Sequence, residues 1–238
     1  TRAMSLFVIA DPHLSLGVNK PMNIFGQQWQ NHDDRLRRAW LESVSDEDTV
    51  IIPGDISWGM HLIEALPDLQ FLHALPGRKL LSRGNHDYWW TSLRKMEHFC
   101  QQHELDSIGF LRNNAVEIED DLVCATRGWI LPDDSEYTAA DEKILLREAG
   151  RLKLSLEAAA AIRKPGQRLI VCLHYPPLTR TLGSSILTDL MQEYDTDICC
   201  YGHIHAAGSA LVLSETELGG IKYWLASADQ IGFKPLRL

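Results

Sequence analysis

Five short apolar runs, each followed by a turn that carries Asp, Asn or His, constrain the fold of this chain more than any other feature. They lie at 6–10, 50–52, 79–82, 169–173 and 198–201. A continuous apolar run of this length that ends at a glycine or proline turn is typical of a strand buried on both faces. Strands that alternate with helices predict an α/β fold, in which ligands collect at the carboxyl ends of the strands.

Helical periodicity and shorter alternating runs predict the remaining elements. We expect helices at 33–44, 61–75, 91–102, 141–162 and 185–194. Asp33 is the expected N-cap of the first helix. Further strands are predicted at 116–118, 122–125, 211–213 and 221–225. Because no repeat or linker interrupts the pattern, we expect a single domain over residues 4–238. Met4 is the expected native start, since residues 1–3 resemble a cloning remnant.

The turns after the apolar runs carry side chains that bind divalent metal ions. In chain order they are Asp11-Pro12-His13, Gly54-Asp55, Gly84-Asn85-His86-Asp87, His174 and Gly202-His203-Ile204-His205. A carboxylate has two oxygens and can bridge two ions, which suits Asp55. Imidazole nitrogen favours Zn and Fe, whereas carboxylate and amide oxygens favour harder ions such as Mn. The mixed set predicts two divalent ions, Mn or Fe first and Zn as the alternative, and argues against Ca.

This ordered set of motifs resembles the calcineurin-like metallophosphoesterase superfamily. The resemblance spans residues 11–205, and the strings at 10–15 and 83–90 are similar to a bacterial branch of predicted phosphohydrolases. It implies a four-layer α/β/β/α sandwich, in which two mixed sheets are flanked by helices. It also implies an assignment of metal ligands: Asp11, His13 and His205 to a first ion, Asn85, His174 and His203 to a second, and Asp55 to both.

Two residues of the third motif are expected to act beside the metals. The resemblance places His86 near the leaving oxygen, where it would serve as a general acid and not as a ligand. Asp87 could hydrogen-bond the His86 imidazole and keep it oriented or protonated. The other five histidines, which lie in or beside helical segments, are expected at the surface or at helix ends. They are His32, His61, His73, His98 and His103.

The leading functional prediction is a binuclear phosphoesterase that cleaves a phosphomonoester or phosphodiester. The nucleophile would be a metal-bridging hydroxide, because coordination lowers the pKa of water from 15.7 to ~7 in favourable sites. No G-x-S-x-G motif offers a serine nucleophile instead. Two alternatives stay open. One is a catalytically silent metal-binding scaffold of the same fold used for protein interaction, and the other is a metal-dependent hydrolase of non-phosphate esters.

Composition narrows the partners of the chain. A net charge of −9 argues against long nucleic acid and leaves a small phosphorylated substrate, with nucleotides among the options. The five cysteines form no C-x-x-C pair, and four lie in apolar runs, so we expect buried reduced thiols and a cytoplasmic protein. We also expect no secretory leader and no membrane span. The sequence does not indicate an oligomeric state.

The sequence indicates the residues of the substrate-binding walls less clearly than it indicates the metal ligands. We expect them to come from the loops at 14–29, 58–61, 132–138 and 176–185. The aromatic run Tyr88-Trp89-Trp90 could stack on a nucleobase, but consecutive aromatic residues more often anchor a core, and which of the three contacts substrate stays open. The acidic segment 132–150 could cap the cleft or form a solvated helix face.

Overall fold

The computed structural model describes residues 4–205 and 215–238. Within these residues the strands are β1 (Leu6–Val8), β2 (Thr49–Pro53), β3 (Arg78–Ser82), β4 (Ile108–Phe110), β5 (Ala115–Ile118), β6 (Asp121–Thr126), β7 (Arg168–Leu173), β8 (Ile198–Tyr201), β9 (Glu215–Leu218), β10 (Ile221–Leu225) and β11 (Leu236–Arg237). The helices are α1 (His32–Ser43), α2 (Leu62–His73), α3 (Leu93–Gln102), α4 (Ala139–Ile162) and α5 (Ile186–Glu193). Two 3₁₀ helices, Met22–Phe25 and Gln27–Trp29, lie between β1 and α1.

The strands form two mixed sheets. The first has five strands in the order β11-β1-β2-β3-β4, and the second has six in the order β5-β6-β7-β8-β10-β9. In the first sheet β1 to β4 are parallel, and β11 is antiparallel at the edge. In the second sheet β6, β7, β8 and β10 are parallel, and β5 and β9 are antiparallel edge strands. The carboxyl ends of the parallel strands therefore meet along one edge of each sheet.

Three hydrophobic cores separate four layers. Phe7 of β1 packs in the core that contains Trp40 of α1, whereas its neighbour Val8 packs in a core that contains Ile170 of the second sheet. The outer face of the second sheet packs in the third core with α4, for example through Leu152. Because successive side chains of a strand point to opposite faces, one apolar run supplies two cores. The predicted α/β/β/α sandwich of two mixed sheets flanked by helices is confirmed.

Several local details differ from the sequence prediction. Helix α1 begins at His32, and its N-cap is Asn31 in a left-handed conformation (φ 51°). The prediction of Asp33 as N-cap is wrong. Asp33 lies in the first turn, where its carboxylate still interacts favourably with the helix dipole. Strands β4, β9 and β11 have no counterpart in the sequence prediction, and the strand predicted at 211–213 lies outside the described residues.

The five cysteines are all buried, and none forms a disulfide, as predicted.

Within residues 4–205 and 215–238, no helix combines the length and the apolar character needed to cross a membrane. Residues 139–150 of the acidic segment form the first half of α4, whose start is fixed by a capping box between Thr138 and Asp141.

Candidate metal centre

The carboxyl ends of five parallel strands bring the seven predicted ligands together. Two groups of donor atoms result, and within each group the atoms lie within 4.8 Å of one another. The first group is Asp11, His13 and His205, and the second is Asp55, His174 and His203. Asn85, the seventh residue, adjoins the second group through its side-chain oxygen. The structure therefore places these seven residues as two clusters at the junction of the two sheets.

In the second group, the protonation of His174 shows what the cluster can bind. Its Nδ1 lies 3.2 Å from the carbonyl oxygen of Pro53, which can only accept a hydrogen bond. Burial lowers the pKa of His174 to about 3, so the imidazole is neutral and carries its one proton on Nδ1. The lone pair on Nε2 then faces the Asn85 Oδ1, also an acceptor, at 2.6 Å. Two acceptors at this distance repel each other unless a cation lies between their lone pairs.

His203 completes the second group. Its Nδ1 lies 3.1 Å from the Asn85 Oδ1 and 3.2 Å from the His174 Nε2. Burial lowers the pKa of His203 to about 3, so this imidazole is also neutral. Two neutral imidazoles and an amide oxygen are ligands that a transition-metal ion accepts without further proton loss. The donor set fits a divalent cation.

The donors of the first group also converge. Asp229 accepts a hydrogen bond from the His205 Nδ1 at 2.9 Å, and the His205 Nε2 lies 3.3 Å from the His13 Nε2. One oxygen of Asp11, Oδ2, accepts hydrogen bonds from the Ser227 hydroxyl and a backbone N–H. The other, Oδ1, is buried and has no hydrogen-bond partner among the described residues. A buried carboxylate oxygen without a donor is costly, and a metal ion would supply the missing partner.

Asp55 lies between the two groups. Its Oδ2 is 3.4 Å from the His174 Nε2 and 3.7 Å from the His13 Nε2. Its Oδ1 accepts the backbone N–H of His86 at 2.8 Å, and the side chain is 1% exposed. One carboxylate therefore faces donors of both clusters, which is the position that a bridging ligand requires.

The backbone at the site is strained. Four of the predicted ligands have left-handed backbone conformations: Asp11 (φ 57°), His13 (φ 45°), Asp55 (φ 51°) and His203 (φ 70°). A side chain in this region costs roughly 1–3 kcal/mol per residue, and such strain concentrates at functional sites. The cost persists here because the surrounding turns hold the donor side chains inward.

Two glycines permit the turns to approach the carboxylates. A Cβ at Gly84 would lie 2.1 Å from the Asp55 Oδ1, and a Cβ at Gly202 would lie 2.5 Å from the Asp11 Oδ2. Neither carboxylate could tolerate an added methyl group at these distances. The glycine before Asn85 and the glycine before His203 are therefore part of the architecture of the centre.

Burial shapes the protonation of the carboxyl groups. It raises the pKa of Asp11 to about 8, and it raises the pKa of Asp55 above its usual range. Burial alone would lower the pKa of His205, but its hydrogen bond to Asp229 and the nearby carboxylate of Asp11 outweigh burial, and the pKa is raised. Two divalent cations would supply the positive charge that keeps these carboxylates ionised.

Asp87 does not contact the imidazole of His86, contrary to the sequence prediction. Its carboxylate is fully buried and accepts hydrogen bonds from the loop after β2, from its own turn and from an indole. The donors are the backbone N–H groups of Asp55, Ile56, Ser57 and Gly84, and Nε1 of Trp89. Burial and the neighbouring charge of Asp55 raise the pKa of Asp87 to about 7. Asp87 joins the turn that carries Asp55 to the turn that carries Asn85.

His86 lies beside the clusters and belongs to neither group of donors. Its ring is half-buried, with its centroid 4.5 Å from that of Trp58 and 5.9 Å from that of His13. Burial lowers the pKa of His86, the charge of Asp55 works to raise it, and the charge of Lys20 works to lower it. The imidazole thus adjoins the first cluster without pointing at its donors.

A cavity of about 640 Å³ opens beside the first group, and His13, His86 and His205 form one wall. The other lining residues are Tyr88 and residues of the loops at 14–29 and 58–61, whereas the loops at 132–138 and 176–185, also expected to contribute, do not line this cavity. Of the aromatic run, only Tyr88 lines this cavity. Trp89 is buried and donates to Asp87, and Trp90 packs in the core against Phe110.

Sequence reasoning missed several residues that support the centre. Asp229 and Ser227 follow β10 and belong to no motif, yet they hold His205 and Asp11. His32 was expected at a helix end, and it does begin α1, but it is buried with its Nε2 3.2 Å from the backbone oxygen of His13. No local signal marks these contacts, because each joins residues that are far apart in the chain or in different elements.

A family model described as calcineurin-like phosphoesterase matches residues 4–207. The match covers most of the chain and confirms the resemblance that the ordered motifs indicated. No curated protein matches the chain significantly.

Solved structures share the fold at low sequence identity. The phosphopantetheinyl hydrolase PptH from Mycobacterium tuberculosis is 12% identical, with a TM-score of 0.56 over 98% of this chain and 95% of that one. TT1561 of Thermus thermophilus is 13% identical, with a TM-score of 0.54 over 100% and 99%. AQ665 from Aquifex aeolicus, a protein of unknown function, is 16% identical, with a TM-score of 0.52 over 99% and 96%. At these identities the likeness concerns the fold alone.

Proposed function

Because the chain belongs to the calcineurin-like phosphoesterase family, and is therefore a metal-dependent phosphoester hydrolase, we propose that it works with two divalent ions on a small phosphomonoester or phosphodiester. The observation that carries the proposal is the position of Asp55. One of its oxygens lies 3.4 Å from a donor of the second cluster and 3.7 Å from a donor of the first. A centre for a single ion would have no use for a carboxylate between two complete donor sets.

The residues divide by the cluster in which they lie. Asp11, His13 and His205 would hold the first ion, Asn85, His174 and His203 the second, and Asp55 both. The mixture of imidazole nitrogens with carboxylate and amide oxygens favours Mn or Fe, with Zn as the alternative. When bound, such a pair of ions lowers the pKa of a coordinated water to ~7 and offsets charge on the phosphoryl oxygens.

His86 is the group of this chain that is placed to move a proton. Its imidazole lies beside the first cluster, at the wall of the cavity. From there it would donate a proton to the oxygen that leaves with the alcohol. Because burial lowers its pKa, the protonated fraction is small at neutral pH and grows as the pH falls. Its contribution should therefore be largest for poor leaving groups and at acid pH.

Asp87 and Asp229 are positioning residues. Asp87 holds the loop after β2 against the turn that carries Asn85, so it fixes the separation of two metal-facing side chains. Asp229 fixes the orientation of His205 and the nitrogen that carries its proton. Carboxylates that orient metal-binding histidines in this way typically account for about 10- to 100-fold in metal affinity or activity.

A silent scaffold of the same fold is the weaker alternative. Scaffolds that have lost catalysis usually lose ligands. All seven ligand positions are filled here, and their donors converge on two points.

The test compares phosphate esters with a carboxylic ester. Protein stripped with a chelator and reloaded with Mn²⁺ should hydrolyse p-nitrophenyl phosphate or bis(p-nitrophenyl) phosphate, and it should leave p-nitrophenyl acetate at the background rate. The ratio of the two phosphate activities gives the monoesterase or diesterase preference. Hydrolysis of the acetate alone, or phosphate hydrolysis that survives the chelator, would contradict the proposal.

A further inference from the structure

The cavity beside the first cluster has a largely apolar lining. Its far wall is apolar and rich in aromatic residues, and the side chains of Phe25 and Tyr88 are 47% and 53% exposed. Phe25 lies on the first 3₁₀ helix, and Tyr88 follows the turn of His86 and Asp87. Large apolar side chains that stay exposed around a concavity mark a binding surface. Binding of phosphate alone does not require them.

The rings of Phe25 and Trp58 have nearly parallel planes, 10° apart, with centroids separated by 6.5 Å. The Lys20 ammonium lies 3.8 Å from the Trp58 centroid and 5.7 Å from that of Phe25, and His13 stacks on Trp58. The faces of Trp58 are therefore occupied by neighbours, and the exposed rings of the wall are Phe25 and Tyr88. Faces of aromatic rings attract the edges and the faces of other rings, and such pairs gain more than area burial alone provides.

The charged residues that line the cavity indicate which charge the bound aromatic group can carry. Lys20 is the one ammonium among the described residues that line the cavity, and no carboxylate lines it. An aromatic cage for a quaternary ammonium such as choline would place no cation among its rings. The cavity therefore suits a neutral or anionic group.

The position of His86 indicates which part of the substrate this cavity would bind. This imidazole belongs to the same cavity wall, and so do His13 and His205 of the first cluster. Among the described residues, no donor of the second cluster lines the cavity. A group bound against the aromatic wall thus lies next to the residue that is placed to protonate the departing oxygen. It would be the leaving group of the ester.

We infer that this cavity binds an uncharged or anionic planar aromatic leaving group of the substrate, such as an aryl or nucleobase moiety, through the exposed rings of Phe25 and Tyr88. The inference rests on the proposed phosphoesterase function and names the substrate class for the same site. A volume of about 640 Å³ accommodates a group of this size with space for its attached sugar or linker.

The experiment compares three phosphate monoesters: benzyl phosphate, cyclohexylmethyl phosphate and phosphocholine. The first two release primary alcohols of similar acidity and size, so their ratio of kcat/KM reports the planar ring and not the leaving-group chemistry. Benzyl phosphate should be preferred about 10-fold, a gain of the size that aromatic pairing provides. Phosphocholine should be the poorest substrate because of Lys20.

Variants assign the preference to the wall. Phe25→Leu and Tyr88→Leu should each reduce the benzyl preference roughly 2- to 12-fold, mainly through KM, since each removes one aromatic pair. Ile24→Ala is the matched control, because Ile24 is exposed on the same 3₁₀ helix and does not line the cavity. Lys20→Met should reduce the ratio of kcat/KM for benzyl phosphate to kcat/KM for phosphocholine. Trp58 is left intact because its ring stacks on His13.

Binding of non-hydrolysable phosphonates separates this inference from the proposed function. Calorimetry should show tighter binding of benzylphosphonate than of cyclohexylmethylphosphonate, and Phe25→Leu should reduce the difference. Equal hydrolysis and equal binding of the planar and saturated compounds, or a preference for phosphocholine, would overturn the inference and leave the proposed function standing. Absence of all phosphoester hydrolysis with the binding difference intact would overturn the function instead.

Discussion

The metal centre and the aromatic cavity share His13 and His205 but are built in different ways. Each predicted ligand follows a parallel strand and is buried or half-buried, and several are fixed by hydrogen bonds to backbone N–H groups or to a neighbouring carboxylate. The far wall of the cavity comes largely from a long loop with two 3₁₀ helices, where Phe25 is 47% exposed and Trp29 is buried in the core. The comparison teaches that the strand ends position the predicted ligands, whereas the aromatic lining comes from loops, in which an exposed residue such as Phe25 can change without disturbing the sheets.

The largest effect should come from the residue that links the two clusters. Asp55→Asn should weaken both ions together and lower kcat by roughly 10³-fold, the equivalent of several kcal/mol of lost stabilisation of the transition state. Asp121→Asn is the control, because Asp121 pairs with Arg168 at the far end of β6 and should affect stability only. Loss of one ion with a fall of only a few-fold would show that Asp55 does not bridge.

His86→Ala should lower the rate by about 10²–10⁴-fold for an alkyl phosphate and much less for p-nitrophenyl phosphate, with both ions retained. Because the pKa of His86 is lowered, the ratio of wild-type to variant rates should fall as the pH rises above the usual histidine pKa of 6.5. Kinetics with both leaving groups across pH provide the measurement. Equal losses for the two leaving groups would exclude an acid role, and loss of an ion would show that His86 is a ligand.

Asp229→Asn should act on one cluster. It replaces the carboxylate that orients His205 with a neutral amide, so the affinity of the first ion should drop about 10- to 100-fold while the second ion stays bound. Metal titration followed by calorimetry would resolve the two sites. Asp197→Asn provides a surface carboxylate control, since Asp197 pairs with Arg163 away from the centre. An equal loss at both sites would contradict the division into two clusters.

Metal removal should make stability depend on pH. Asp11 and Asp87, with pKa values of about 8 and about 7, hold protons in the folded state that they release when unfolded. Between pH 6.5 and 8, the free energy of unfolding of the metal-free protein should therefore decrease as the pH rises. The buried histidines His174 and His203 oppose this trend only below their usual pKa of 6.5.

Thermal unfolding of the stripped and the Mn²⁺-loaded protein at a series of pH values checks this expectation. The loaded protein should show little slope over the same window, because the ions keep the carboxylates ionised in the folded state. A stripped protein that becomes more stable from pH 6.5 to 8 would show that these carboxyl groups are not protonated when the ions are absent.

The smallest effect should be that of the cavity wall on stability. Phe25→Leu should change the free energy of unfolding by less than about 0.5 kcal/mol, because the side chain is 47% exposed. Trp40→Ala in the helix-side core should cost about 3–5 kcal/mol by comparison. Urea unfolding measures both. A large decrease in the free energy of unfolding for Phe25→Leu would show that the loop is packed as tightly as the metal centre.

The same contrast explains what could be predicted from the sequence. The clustering of the seven predicted ligand residues could be read from the sequence, because each follows a strand and parallel strands bring their carboxyl ends together. Gly84 and Gly202 marked two of the turns by their need for space. The hydrogen bonds of Asp87 were misjudged, because its carboxylate is drawn to backbone N–H groups 30 to 32 residues earlier in the chain. Reasoning from neighbouring residues suggests the adjacent His86 imidazole as the partner of Asp87, whereas the donors come from the loop after β2.

The cavity was not predictable in the same way. Its position depends on how residues 14–29 fold over the loop after β2, which is a long-range packing outcome with no periodic signal. Lys20 and Phe25 meet Trp58 across more than thirty residues of sequence. Asp229 is likewise joined to His205 across 24 residues. Such contacts are set by tertiary packing, and only the structure reveals them.

A titration of metal-free protein with Mn²⁺, with bound metal and phosphatase activity followed together, tests the bridged pair of ions most directly. We expect two ions per chain at saturation, with activity that appears only as the second ion binds. Full activity at one ion per chain, with no second ion bound at saturating Mn²⁺, would contradict a centre that shares Asp55 between two clusters.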